Sequence, residues 1–240
     1  MRLLPLYVFT LFFFWKFLVL YGGEGPLFYQ YHDNTQCQRF WFWHVVFLNN
    51  LVPWSEQDTC LPWTWYLAND FQFFLLVPVL VGFYADLEKR KKFYYVIGAI
   101  AGVNSLIQTI VILANSLSVS YFTYQDEYWT VYYVKPYSRL PVFLIGVIAG
   151  CNYFSFKREE GSTETNRIPK ILEALQHSPV RAVTSSLLGN LVMFMMVSFM
   201  QVINNSPNEG SQATNLIYLL THRPLFIAGF SLVIFPALVA

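Results

Sequence analysis

Six apolar runs, each close to the length needed to cross a hydrocarbon layer, recur along this chain and leave few folds open to it. They fall at about 4–21, 65–84, 93–115, 140–156, 180–203 and 216–240. At a rise of about 1.5 Å per residue, a helix of about 20 residues approaches the roughly 30 Å apolar core of a bilayer. With 55% hydrophobic and only 12% charged residues, the chain has too little polar surface to clothe a water-soluble fold. The expected class is all-α: a polytopic transmembrane helical bundle of about six spans, forming one membrane domain over residues 1–240. Arg2 is followed by apolar residues without a small-residue cleavage site, so the first run reads as a span and not as a removable leader.

Cation placement orients the bundle. DLEKRKK at 86–92 and the hydrophilic 157–179 stretch, with Arg2 and Arg181, gather ten Lys and Arg residues on one side. The other side holds Arg39, Lys135, Arg139 and Arg223. The positive-inside rule then predicts a multi-pass protein of the plasma membrane or an endomembrane, with a cytoplasmic N-terminus and outward loops at 22–64, 116–137 and 204–214. Within 157–179, Pro169 to His177 fits a short amphipathic surface helix. Asn204, Asn205 and Ser206 form a weak glycosylation sequon on the outward side. Lys16, the one charge in the first run, either snorkels to the interface or pairs inside the bundle.

The 22–64 loop carries Cys37 and Cys60 around FWFWHVVFLNNLV, a segment at 40–52 too short to span and suited to an interfacial helix or strand. A bridge between the two cysteines would fit an oxidising face, and two buried thiols are the alternative. Cys151 sits in an apolar run and reads as an inert core residue. At the mouth of the second run stands WTWYLANDFQ, 63–72, where Trp65, Asn69 and Gln72 share one helical face and Tyr66, Asp70 and Phe73 the next. Amides and a carboxylate at that depth either line a wet cavity or lie among headgroups beside interfacial aromatics. GAIAG at 98–102 and GVIAG at 146–150 predict close helix approach, and Asn104 and Gln108 predict interhelical amide bonds. Met193, Met196 and Met200 read as packing. The polar His222 and Arg223, with Pro224, interrupt the apolar character of the last run, which continues as one expected span over 216–240.

Soluble catalytic motifs are missing: there is no GxSxG, P-loop, GxGxxG or HExxH, and no basic tract for nucleic acid. His32, His44, His177 and His222 show no metal-ligand spacing and read as surface residues, so no metal is expected. The residues alone predict a polar, partly cationic vestibule and no reaction.

Three blocks carry a resemblance. The run from Cys37 through WFWHVVFLNN and Cys60 into WTWYLANDFQFFLLVP, the block KPYSRLPVFLIGVIAG at 135–150, and RLLPLYVF at 2–9 with HRPLFIAGFSLVIF at 222–235 resemble the nose-resistant-to-fluoxetine branch of the acyltransferase-3 family. The resemblance implies an integral membrane O-acyltransferase that moves an acyl group from a donor such as acyl-CoA to a hydroxyl acceptor, with membrane lipid around it and no bound cofactor. Lipid or hydrophobic-compound transport without turnover is the alternative. The resemblance implies Asn69, Asp70, Gln72, Lys135 and Arg139 as pocket groups and Arg2 as a donor-side group. The family's catalytic His belongs to an earlier span, so this chain is expected to be a partial domain, inactive alone and without an assigned catalytic residue.

Overall fold

The computed structural model describes residues 3–18, 35–55, 58–85, 90–119, 127–159, 178–204 and 211–239. Arg2, the 169–177 segment and the Asn205–Ser206 part of the sequon lie outside the described residues. All regular structure among the described residues is helical: α1 (Leu3–Phe12), continued by a π-helical stretch Phe13–Leu18; α2 (Thr35–Val45); α3 (Trp65–Ala85), entered through the 3-10 turn Pro62–Thr64; α4 (Arg90–Ala114); a π-helical stretch Tyr128–Tyr133; α5 (Pro136–Glu159); α6 (Pro179–Asn204); and α7 (Gln212–Val239). Five of these helices are long and apolar enough to cross a bilayer, whereas Leu3–Phe17 is apolar but shorter. The chain divides into two compact units, one of residues 1–76 and 126–138, the other of residues 77–125 and 139–240.

In the first unit, Leu11 and Trp15 from the first helix pack with Cys37, Cys60 and Leu61. Cys37 and Cys60 are joined by a disulfide, which closes 23 residues of sequence and stabilises the folded loop by about 3 kcal/mol through the unfolded chain's lost freedom. A second apolar group joins Tyr7, Phe47 and Ala68. The 40–52 segment, left open between helix and strand by its residues, is the end of α2 followed by a tight turn.

That turn has a definite construction. Leu48 N–H donates to the Trp43 carbonyl at 2.9 Å and Phe47 N–H to the His44 carbonyl at 3.1 Å, the bonding of a Schellman cap. Phe47 holds the left-handed position with φ 57°, where glycine is usual and a side chain costs on the order of 1 kcal/mol. Its ring offsets that cost by stacking on Tyr7 at 5.2 Å and on Phe71 at 4.4 Å.

In the second unit, Leu80, Tyr84, Phe93, Ile97, Leu144 and Cys151 form the apolar core, and Tyr84 Oη lies 2.9 Å from Ser155 Oγ. Cys151 is buried and unbridged, as its apolar setting predicted. α6 and α7 cross closely. A Cβ on Gly189 would strike the Gly229 carbonyl oxygen and come within 2.9 Å of Val233, while a Cβ on Gly229 would come within 2.9 Å of the Gly189 carbonyl. Ser185 Oγ donates to the Leu232 carbonyl at 2.9 Å across the same crossing. Without water to expel, close backbone approach and interhelical hydrogen bonds are what hold such a pair.

The two glycine pentapeptides were expected to mark close helix approach, but among the described residues Gly98, Gly102, Gly146 and Gly150 have nothing within 4 Å of where a Cβ would stand. The last span, expected over 216–240 with His222, Arg223 and Pro224 inside it, is one helix, Gln212–Val239. A proline removes one hydrogen bond, and neighbouring turns of a membrane helix absorb the freed carbonyl.

Replacing Gly189 or Gly229 by Leu is expected to destabilise the α6–α7 pair by about 1–3 kcal/mol, the usual cost of overpacking. Gly146→Ala, with no neighbour within 4 Å, is the matched control. Thermal melts of the detergent-solubilised protein check this: the first two variants should melt lower and the control should not.

Candidate functional site

The first unit buries an unusual number of polar side chains for a chain this apolar: His44, Asn49, Asn50, Thr59, Thr64, Asn69, Lys135 and Ser138. They come together because three segments converge, namely the turn after α2, the head of α3 and the residues leading into α5. Burying an amide without a partner costs about 1–3 kcal/mol, so their bonds can be followed one by one.

Asn50 is the hub. Its Nδ2 donates to Asn69 Oδ1 at 2.7 Å and lies 3.3 Å from Gln72 Oε1, while its Oδ1 accepts from Gln72 Nε2 at 2.8 Å. Gln72 Nε2 also donates to the Phe47 carbonyl at 2.9 Å, and Asn69 Nδ2 to the Val134 carbonyl at 3.0 Å. The left-handed turn at Phe47 therefore does two things: it reverses the chain after α2 and aims its own carbonyl at α3.

Lys135 is 1% exposed. Its ammonium donates to the carbonyls of Asn50 at 2.9 Å and Trp54 at 2.8 Å and sits 3.9 Å from the Trp54 ring centroid. Two charge-assisted bonds of about 1.5–3 kcal/mol each, with an aromatic face, offset the loss of water around the cation.

A second branch runs through Thr64. Its hydroxyl donates to the Leu61 carbonyl at 2.7 Å, which commits its single proton. Thr64 Oγ1 then accepts from Tyr7 Oη at 3.0 Å and Asn49 Nδ2 at 3.1 Å. With the Tyr7 proton so placed, the Tyr7 oxygen accepts from His44 Nδ1, 2.9 Å away. This assigns the Nδ1–H tautomer of His44 and leaves Nε2 as an unprotonated acceptor, buried with no partner among the described residues. Burial pushes the His44 imidazole down to about 4, because the charged form loses its water.

Between these branches lies a cleft with room for about one water molecule, lined by Asn49, Asn50, Trp54, Thr59, Trp65 and Lys135 among others. Among the described residues no three His, Cys, Asp or Glu side chains gather as metal ligands would.

The structure thus joins Asn69, Gln72 and Lys135 through Asn50 and places Trp65 at the cleft. Asp70, one position from Asn69, is on the exposed side of α3. Arg139 is half-buried in the second unit. His44, read from sequence as a surface residue, is wholly buried, because α2 turns its C-terminal end against Tyr7 and Thr64. Asn49, Asn50, Thr64 and Tyr7 escaped the sequence reading. The Asn-Asn pair closing an apolar segment was the available signal for the first two.

Five helices able to cross a bilayer, with a buried polar head in the first unit, define an integral membrane protein of the helical class. Along 98% of its length the chain is similar to nose resistant to fluoxetine protein 6 of Caenorhabditis elegans, 26% identical over 245 aligned positions, which supports the nose-resistant-to-fluoxetine branch. It is also similar to the regulator of hypoxia-inducible factor 1 of the same organism, 22% identical over 163 positions and 56% of the chain. The chain spans 28% and 30% of the lengths of these two relatives. No family model matches the sequence. No solved structure matches it.

Two outcomes test the network. Lys135→Met strands the Asn50 and Trp54 carbonyls and should cost about 2–4 kcal/mol, seen as faster hydrogen exchange in 47–54. Below the ordinary histidine value of 6.5 the unfolded chain takes a proton that folded His44 refuses until about pH 4. Stability of this unit should therefore fall as pH drops from 6.5 to 4, by up to about 3 kcal/mol. His44→Gln should flatten that decline in pH-dependent melts.

Proposed function

We propose that this chain is part of an integral membrane O-acyltransferase-like protein of the acyltransferase-3 type, which moves an acyl group from a donor such as acyl-CoA to a hydroxyl acceptor. The observation that carries this reading is the similarity to nose resistant to fluoxetine protein 6 over 98% of the chain, which takes in the polar head of α3. Acyl transfer to a hydroxyl needs a base for the hydroxyl proton and donors for the charge that develops on the thioester oxygen. On this reading the base and the donor-handling cations, with Arg2 at their edge, come from sequence preceding this segment. The Asn50–Asn69–Gln72–Lys135 network serves as a rigid frame that positions the acceptor.

Transport of a lipid or hydrophobic compound without turnover is the second reading. It is favoured by the name of the relative matched along 98% of the chain, which refers to resistance to fluoxetine, a hydrophobic amine.

The two separate in one assay. Membranes containing the whole protein, given acyl-CoA with a labelled acyl chain, should form a labelled ester. Asn69→Ala should lower the rate by roughly an order of magnitude through misplacement of the frame. Unchanged uptake of a hydrophobic compound with no ester formed would select transport and reject transfer.

A further inference from the structure

We propose that the end of the second unit where α3, α4 and α5 meet is a docking surface for the phosphate of an anionic phospholipid, held by Arg90, Lys91 and Lys92 with the amide of Asn152. The floor of this surface is aromatic. Phe93 is fully buried and meets the Tyr84 ring edge-on at 5.0 Å, which fixes the first turn of α4 against the end of α3. The guanidinium of Arg90 lies over the same Tyr84 ring, 4.6 Å from its centroid. Tyr84 and Tyr94 both donate to Asn152 Oδ1, at 3.3 and 3.0 Å, so that oxygen is occupied and the Nδ2 hydrogens are what Asn152 has left to offer. Arg90 and Asn152 are half-buried, Tyr94 is 43% exposed, and Lys91, Lys92 and Lys157 are exposed, so a ligand can reach the surface.

Cations and amide hydrogens together select an anion. Arg90, Lys91 and Lys92 follow one another in the first turn of α4, which holds no acidic residue. They repel one another and oppose the helix dipole, and a bound anion relieves both. The flanking sequence does not cancel the charge: 86–92 and 157–160 hold six Lys and Arg against four Asp and Glu. A phosphate presents several oxygens at once, which a guanidinium and adjacent ammonium groups can share. A lipid is favoured over a soluble phosphate by position. α4 turns apolar directly after Lys92, and the exposed rings of Tyr95, 77%, and Phe154, 66%, belong to the same ends of α4 and α5. Cations beside exposed aromatic rings match the headgroup layer of a bilayer. The surface is a matter of binding and holds whether or not the protein transfers acyl groups.

The test uses the whole protein in phosphatidylcholine bilayers with a trace of photoreactive phosphatidic acid, whose head is a bare phosphate, or of photoreactive phosphatidylcholine. Phosphatidic acid should label 90–95 or 152–157, mapped by mass spectrometry, above phosphatidylcholine, and the preference should shrink as salt is raised. Arg90→Gln should lower that labelling about fivefold, the effect of one cation beside anionic lipid. Asn152→Asp keeps an acceptor for both tyrosines and puts a negative charge where the amide was, so it should bring labelling down to the phosphatidylcholine level. The comparison of the two lipids in the unaltered protein stands without either variant. Lys170→Gln, in the hydrophilic 157–179 stretch, should change little and controls for diffuse attraction. Equal labelling by the two lipids, an equal loss with Lys170→Gln, or no response to Arg90→Gln and Asn152→Asp, the result expected if the chain's own carboxylates fill the surface, would overturn the proposal. Loss of labelling to soluble pyrophosphate or coenzyme A, with unlabelled phosphatidic acid failing to compete, would assign the surface to a soluble phosphate and overturn the lipid. None of these results bears on ester formation, so this proposal and the transferase reading fail separately.

Discussion

A single buried ammonium sets the shape of the first unit. Lys135, one residue before α5, reaches across to the carbonyls of Asn50 and Trp54 and so draws the turn after α2 onto the entrance of another helix. The sequence separations are 85 and 81 residues, which makes this one of the long-range ties of the unit. A buried cation that lost these partners would remain in a medium that cannot solvate it, so the carbonyls are as constrained by the lysine as it is by them. One branch of the polar head is arranged around the fixed position of Asn50, whose carbonyl serves Lys135 while its side chain serves Asn69 and Gln72.

The backbone at Phe47 shows how such a position is reached. A non-glycine residue with positive φ is costly, and the structure keeps it because the ring is stacked on two neighbours and the carbonyl is bonded to Gln72. Strain, stacking and hydrogen bonding are thus coupled in one residue. The disulfide, which joins Cys37 before this turn to Cys60 after it, limits how far α2 can move from the start of α3.

The second unit follows a different rule. Apolar side chains gain little from leaving lipid for protein, so its α6–α7 pair relies on glycine-to-glycine approach and on Ser185 bonding to a carbonyl. Glycine spacing alone did not locate this crossing. A small residue permits close approach, but only a partner that presents its own small residue at the same height makes use of it, as Gly189 and Gly229 do and the two glycine pentapeptides do not.

Fold class, the places of the long helices and the special character of 63–72 were legible in the residues, because hydrophobic run length and helical spacing are local quantities. The inward turn of Asn69 and Gln72 beside an exposed Asp70 follows from the same spacing, since adjacent residues on a helix point about 100° apart. The hydrogen-bond partners were not legible. Asn50 meeting Asn69, Thr64 taking Asn49 and Tyr7, and His44 being sealed from water all depend on segments 15 to 57 residues apart in sequence. A polar side chain at membrane depth announces that it must be satisfied; which atom satisfies it, and whether one acceptor is left over, is settled only when the helices have packed.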